Sequence, residues 1–182
     1  MILNNSLAIS HEYIKKVIDK DSVTIDATMG NGNDTLFLSQ NSKKVYGFDI
    51  QEKAIENTKK LLQKNEVKNV ILINDSHSNI DAYVKEPVKC VMFNLGYLPR
   101  YNHSISTNHM STITGIKKSM KLLTKSGLIS IVIYHGKDSG FVEKDKVLNF
   151  ISQIDESQFK VLKFSYENQK NHPPILVLIE KK

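Results

Sequence analysis

The chain has 182 residues, of which 40% are hydrophobic and 24% charged, and carries a formal net charge of +6. This is ordinary globular composition, and the length suits one domain, expected over residues 1–182, with a core deep enough for three layers. No apolar run approaches the roughly 20 residues of a membrane span, Met1–Ser6 does not read as a signal peptide, and a single cysteine excludes an internal disulfide or a cysteine-rich zinc site. The cytoplasm is the expected location, and no metal site is expected.

A first helix is expected from about Ser6 to Ile18, where Leu7, Ile14, Val17 and Ile18 recur at helical spacing. The β-branched run Val23-Thr24-Ile25 reads as a strand. It leads into Asp26-Ala27-Thr28-Met29-Gly30-Asn31-Gly32-Asn33-Asp34, an acid, then two glycines, then a helix start. Glycine lets a backbone approach a ligand closely and adopt conformations closed to other residues. The helix that follows should end near Asn41-Ser42. A second strand, Lys44 to Ile50, carries Asp49 near its end, and a helix over Glu52–Lys64 turns Ala54, Ile55, Leu61 and Leu62 to the sheet.

The third strand, Val70–Ile73, ends in Asn74-Asp75-Ser76-His77, and a short helix from Ser78 to Val84 stops before Glu86-Pro87. The fourth strand, Cys90–Phe93, ends in Asn94-Leu95-Gly96-Tyr97-Leu98-Pro99; Cys90 within it reads as a packing residue. A polar loop from Arg100 to Asn108 and a helix from Ser111 to Leu123 follow, closed by Thr124-Lys125-Ser126-Gly127. Leu128–Tyr134 is the clearest buried strand, and Glu143–Ile154 reads as helix. The last two strands, Phe159–Tyr166 and Pro174–Ile179, have no helix-length segment between them.

Five strand-helix units and a closing antiparallel hairpin predict an α/β fold, a seven-stranded, mostly parallel sheet with helices on both faces. An acid at one strand end is readily a helix N-cap. Four strands that all finish in polar groups point instead to one crevice, because in open α/β sheets ligands bind beyond the carboxyl ends of the strands.

The ligand is constrained by what the turn lacks. No third glycine follows Gly30 and Gly32, since Thr35 occupies that position, and no Walker lysine follows either. Asp26 and Asp34 would repel a pyrophosphate but suit a cationic or neutral ligand. S-adenosylmethionine fits: a sulfonium, an amino acid head and an adenosine, without phosphate. The basic net charge favours a polyanionic partner, although Lys15, Lys16, Lys43, Lys44, Lys59, Lys60, Lys117 and Lys118 mostly fall on helix faces, where solubility also explains them.

On these motifs the chain resembles the class I S-adenosylmethionine-dependent methyltransferases (Rossmann-like), and more narrowly the small bacterial group called MnmM or YtqB. The resemblance runs from Asp26-Ala27-Thr28-Met29-Gly30-Asn31-Gly32-Asn33-Asp34-Thr35 through Gly47-Phe48-Asp49-Ile50-Gln51 and Asp75-Ser76-His77. It continues in Met92-Phe93-Asn94-Leu95-Gly96-Tyr97-Leu98-Pro99 and in a tail with Asn168-Gln169 and Pro173-Pro174. It implies N-methylation of 5-aminomethyl(-2-thio)uridine at the tRNA wobble position, hence the tRNA anticodon stem-loop as partner. It also implies that Asp26, Gly30, Asn31, Gly32, Asn33 and Asp34 surround the methionine part of the cofactor. Asp49 would hold the ribose with Gln51 beside it, and Asp75 and Ser76 would meet the adenine. His77 is open between a cofactor or substrate contact and a helix cap.

Asn94-Leu95-Gly96-Tyr97 has the N-x-x-Y spacing of the Asn-Pro-Pro-Tyr motif of amino-group methyltransferases, with Leu-Gly in place of the two prolines. By that resemblance Asn94 positions the amine lone pair and Tyr97 packs the base. Methyl transfer from a sulfonium is an in-line displacement governed by positioning, and a neighbouring positive charge lowers an amine's pKa. No strong general base is therefore required; His77 and His103 are candidates for a proton relay. Arg100, Tyr101 and His103 are candidates to grip a splayed nucleotide, with Lys137, Lys170 and His172 as further phosphate contacts. Alternatives remain: an rRNA or small-molecule amine substrate, or a cofactor- or RNA-binding module without catalysis. The sequence leaves a homodimer open.

Overall fold

The computed structural model describes residues 5–96, 108–135 and 138–182. Tyr97, Arg100, Tyr101, His103 and Lys137 lie outside the described residues. The strands are β1 (Val23–Asp26), β2 (Lys44–Phe48), β3 (Val70–Ile73), β4 (Val88–Leu95), β5 (Leu123–Ile133), β6 (Phe159–Phe164) and β7 (Ile175–Lys181). The helices are α1 (Ser6–Lys15), α2 (Asn33–Asn41), α3 (Glu52–Lys64), α4 (Ile80–Tyr83), α5 (His109–Leu122) and α6 (Asp138–Ile151), with a single 3-10 turn at His77–Asn79.

The strands form one sheet in the order β3-β2-β1-β4-β5-β7-β6. The first five pair in parallel, whereas β7 runs antiparallel to both β5 and β6. The expected closing hairpin is present, and β7 is wedged between β5 and β6. Strand order reverses between β1 and β4, which makes the gap beyond their carboxyl ends the topological switch point of the sheet.

Side-chain alternation along the strands builds two apolar layers. Val91, Phe93 and Leu95 of β4 and Ile129, Ile131 and Ile133 of β5 face Ile116 of α5 and Val147 and Ile151 of α6. Cys90 and Met92, with Leu128 and Val132, face Ile14 of α1 and Leu38 of α2. Cys90 is fully buried and its thiol pushed well up by that burial, as a packing residue should be. No helix among the described residues is long and apolar enough to cross a membrane.

Some boundaries differ from expectation: α1 stops at Lys15 rather than Ile18, α6 runs from Asp138 to Ile151 rather than from Glu143 to Ile154, and β5 starts early. The strand after α5 begins at Leu123, which pairs with Val88, and the register resumes only at Cys90 opposite Leu128. Thr124–Gly127 is thus an excursion within β5, with Ser126 at φ 54°. A Cβ on Gly127 would stand 2.8 Å from the Thr124 carbonyl oxygen, so glycine is required there. The four residues carry turn chemistry, which is why the sequence places the strand start after them.

Candidate functional site

The glycine turn leaves β1 at its carboxyl end. Gly30 and Gly32 both have positive φ, 54° and 82°, in the left-handed region that only glycine enters freely. A Cβ on Gly32 would also lie 2.6 Å from the Thr58 hydroxyl. Thr58 of α3, fully buried, donates to the Gly30 carbonyl (3.2 Å) and so braces the turn from behind. Asn31 and Asn33 are exposed on the turn and at the first residue of α2, and Asn31 accepts a bond from Asn57.

The three carboxylates near this turn differ in their surroundings. Asp26 is fully buried, taking the Thr35 hydroxyl (2.6 Å) on one oxygen and the Thr28 N–H (3.2 Å) on the other. Burial, aided by the charge of Asp34, pushes its pKa up to about 7. Asp49 follows β2 and accepts from the Gly30 N–H (2.9 Å) and the Gln51 N–H (2.9 Å). Burial raises its pKa, opposed by those backbone donors. Each of its oxygens still has acceptor capacity, and the neighbouring Ile50 is 57% exposed, an apolar surface beside a polar one. Gln51 caps α3 through its backbone.

Asp34, in the first turn of α2, is engaged by two other elements, with one carboxylate oxygen 2.7 Å from His11 Nε2 of α1 and the other accepting from the Asn94 carboxamide near the end of β4. Asn94 is also held by its backbone, whose N–H donates to Thr28 Oγ1 (2.6 Å). Its carboxamide oxygen is buried and has no partner among the described residues. His11 carries no motif-level signal, and Thr28, although within the glycine-turn motif, is given its partner only by the tertiary fold.

Asp75 and Ser76 follow β3. Asp75 accepts from Tyr83 (2.8 Å), Asn79 and the Ser76 N–H, and the Tyr83 hydroxyl above all holds its pKa below the usual carboxylate range. Ser76 caps the 3-10 turn by accepting from the Ser78 N–H. His77 lies deeper, 8% exposed, edge-on to Phe93 and against Gly115 of α5. Its Nδ1–H donates a hydrogen bond to the Ala27 carbonyl (3.1 Å). Burial depresses its pKa to about 4, so near neutral pH the ring is uncharged and a poor proton acceptor.

Beyond Asn94, Tyr134 at the end of β5 is 44% exposed, and its phenol pKa is raised by burial and by the charge of Asp34. His135, Phe141 and His172 form a ring cluster with centroids 5.5–6.0 Å apart at the same end of the sheet. Two surface grooves lie away from the switch point, one along Ile55, Leu62 and Val67, the other along Leu148, Val161 and Val177. Both are shallow clefts between a helix and the sheet, and neither gathers polar groups as the switch point does.

A seven-stranded sheet of this order, with an acid-flanked glycine turn after β1, a carboxylate after β2 and an asparagine ending β4, defines a class I S-adenosylmethionine-dependent methyltransferase. The family model "Putative rRNA methylase" matches residues 45–180, and the chain belongs to that family. An Arabidopsis thaliana relative named "tRNA (mnm(5)s(2)U34)-methyltransferase, chloroplastic" is 36% identical over 187 residues, covering 95% of this chain and 68% of its own length. A Clostridium thermocellum structure of the same description as the family is 50% identical with a TM-score of 0.97, covering 99% of both chains. A "putative methyltransferase" from Streptococcus mutans, solved in complex with SAH, is 46% identical with a TM-score of 0.94 and covers 99% of both.

Proposed function

We propose that this methyltransferase modifies tRNA at the wobble position, converting 5-aminomethyl(-2-thio)uridine to 5-methylaminomethyl(-2-thio)uridine. The observation that carries the reading is the Asn94 carboxamide oxygen near the end of β4, a buried acceptor without a partner among the described residues. A buried polar atom left unpaired costs free energy. An amine N–H arriving at that oxygen would satisfy it and aim the nitrogen lone pair away from the amide. The Arabidopsis relative carries a name for this uridine, and the net charge of +6 suits an RNA substrate.

The residues suit the cofactor. The carboxylates Asp26 and Asp49 make the turn hostile to phosphate, and the positive-φ glycines let the ligand lie against backbone. Asp49 is positioned for the ribose hydroxyls, with Ile50 and Asp75–Ser76 toward the adenine, and Gly30 to Asn33 bound the methionine end. Bound there, S-adenosylmethionine supplies a methyl group on a positively charged sulfur. The N–C bond forms as the C–S bond breaks, the electron pair goes to sulfur, and the ammonium product afterwards loses its proton to water. Tyr134 and the His135–Phe141–His172 cluster lie where a splayed base would stack.

The test is methyl transfer from labelled cofactor to tRNA from cells lacking this protein, with rRNA in parallel and nucleosides resolved afterwards. Label in 5-methylaminomethyl uridine is expected. Label confined to rRNA would sink the wobble assignment. Asn94→Ala should lower turnover about 10- to 100-fold, the scale of a lost hydrogen bond to a group that becomes charged, while cofactor binding persists.

A further inference from the structure

An asparagine amide is nearly symmetric in shape, and its two ends differ only in whether they donate or accept. For Asn94 the choice is decisive. With the oxygen toward the amine, the carboxamide accepts an N–H and directs the lone pair; with the NH2 there, it can accept nothing and competes for that lone pair. The backbone does not decide this, since the N–H bond to Thr28 Oγ1 holds the main chain and leaves the side-chain torsion free to turn over.

Asp34 decides it. An ionised carboxylate only accepts hydrogen bonds, so the part of Asn94 that meets it must be the NH2 group, as found. The oxygen is then forced to the opposite side, where it is buried and unpartnered among the described residues. Turning the amide over would set its oxygen against a carboxylate oxygen, with no hydrogen between them.

His11 in turn fixes Asp34. Its Nε2 stands 2.7 Å from the second carboxylate oxygen and must carry the proton. The ring is stacked on Phe37 of α2 at 3.8 Å between centroids and 5° between planes, so it has little freedom to leave. Its helix is anchored to the sheet one residue away, where the buried Ser10 hydroxyl meets that of Ser130 in β5 at 2.6 Å. Ile14, fully buried, packs the next turn into the core.

We propose that His11 and Asp34 are positioning residues for methyl transfer: a His11–Asp34–Asn94 chain that locks the carboxamide with its oxygen toward the amine. This rests on the reading of Asn94 as the amine acceptor. It assigns the N-terminal helix a part in catalysis that the motifs do not contain, and it assigns Asp34 to substrate orientation rather than to the cofactor.

The test compares Asp34→Asn, His11→Phe and His11→Gln on whichever RNA the wild-type protein methylates, with cofactor affinity measured by calorimetry. Asp34→Asn offers both a donor and an acceptor, so it removes the orienting preference without changing shape. Its kcat should fall about 10- to 100-fold, with cofactor Kd unchanged within about 3-fold. His11→Phe keeps the stack and loses the donor, and should lower kcat about 3- to 10-fold; His11→Gln should recover most of that loss. The Asp34→Asn/His11→Phe double variant should be no slower than Asp34→Asn alone, as members of one chain are not additive.

A readout without substrate separates this inference from the proposed function. The Asn94 side-chain NH2 should exchange slowly with solvent in the wild-type protein and faster in Asp34→Asn. Unchanged kcat in Asp34→Asn, a loss confined to cofactor affinity, or a freely exchanging wild-type Asn94 amide would each overturn the chain. Failure of the wild-type protein to methylate the wobble amine, with the Asn94 amide still protected, would overturn only the substrate.

Discussion

The two halves of the sheet are built on different principles. On the β5-β7-β6 side, burial is apolar: Ile129, Ile131, Ile133, Val177 and Ile179 are at most 1% exposed, and the ladder is a regular antiparallel one. At the carboxyl ends of β1, β2 and β4 the buried groups are Asp26, Asp34, Thr35, Thr58 and His77. Ordinary domains seldom bury carboxylates. The first half supplies the hydrophobic free energy that lets the second hold polar groups in a costly arrangement, and a site is recognisable by that cost.

The largest expected effect lies in the apolar half. Ile131→Ala should destabilise the fold by about 2–5 kcal/mol in denaturant unfolding, with cofactor affinity preserved under native conditions. A loss below 1 kcal/mol would mean that half is less tightly packed than its burial indicates. In the polar half, Asp49→Ala should weaken cofactor binding about 10- to 100-fold, measured by calorimetry, since the carboxylate also ties Gly30 and Gln51. Unchanged affinity would remove Asp49 from the site.

Within the polar half, two buried groups should respond to pH in opposite directions. Asp26 has its pKa raised from 3.8 to about 7, so its contribution is fully present below about pH 4 and lost as pH rises through 7. His77 has the opposite sign: lowered from 6.5 to about 4, its contribution is present above pH 6.5 and lost as pH falls through 4. Asp26→Asn should therefore gain stability relative to wild type as pH rises from 5 to 8, and a pH-independent difference would refute an elevated Asp26 pKa. The smallest effect belongs to the hairpin's outer edge, where Val161 is 39% exposed. Val161→Thr should stay within about 0.5 kcal/mol of wild type in thermal unfolding.

Much of this was legible in the residues. Alternation of apolar runs located every strand, and Glu52–Lys64 was readable to its ends because polar and apolar positions segregate cleanly along it. Gly30 and Gly32 were legible because two closely spaced glycines after a strand mark a turn whose backbone takes left-handed φ values and approaches a ligand. The excursion at Thr124–Gly127 was read as a stop because turn residues look the same inside a strand as at its border. His11 went unread for a different reason: it is 23 residues from Asp34 and sits on a helix whose remaining pattern is that of plain packing.

The sequence by itself determined the element order, the seven-stranded α/β class and the polar strand ends, because periodicity and turn chemistry act over a few residues. Tertiary structure alone decided that β7 lies between β5 and β6, that Asp34 turns to Asn94, and that His77 is buried and neutral. These depend on which side chains meet across long separations, and on how completely the meeting excludes water. Local patterns do not encode either quantity.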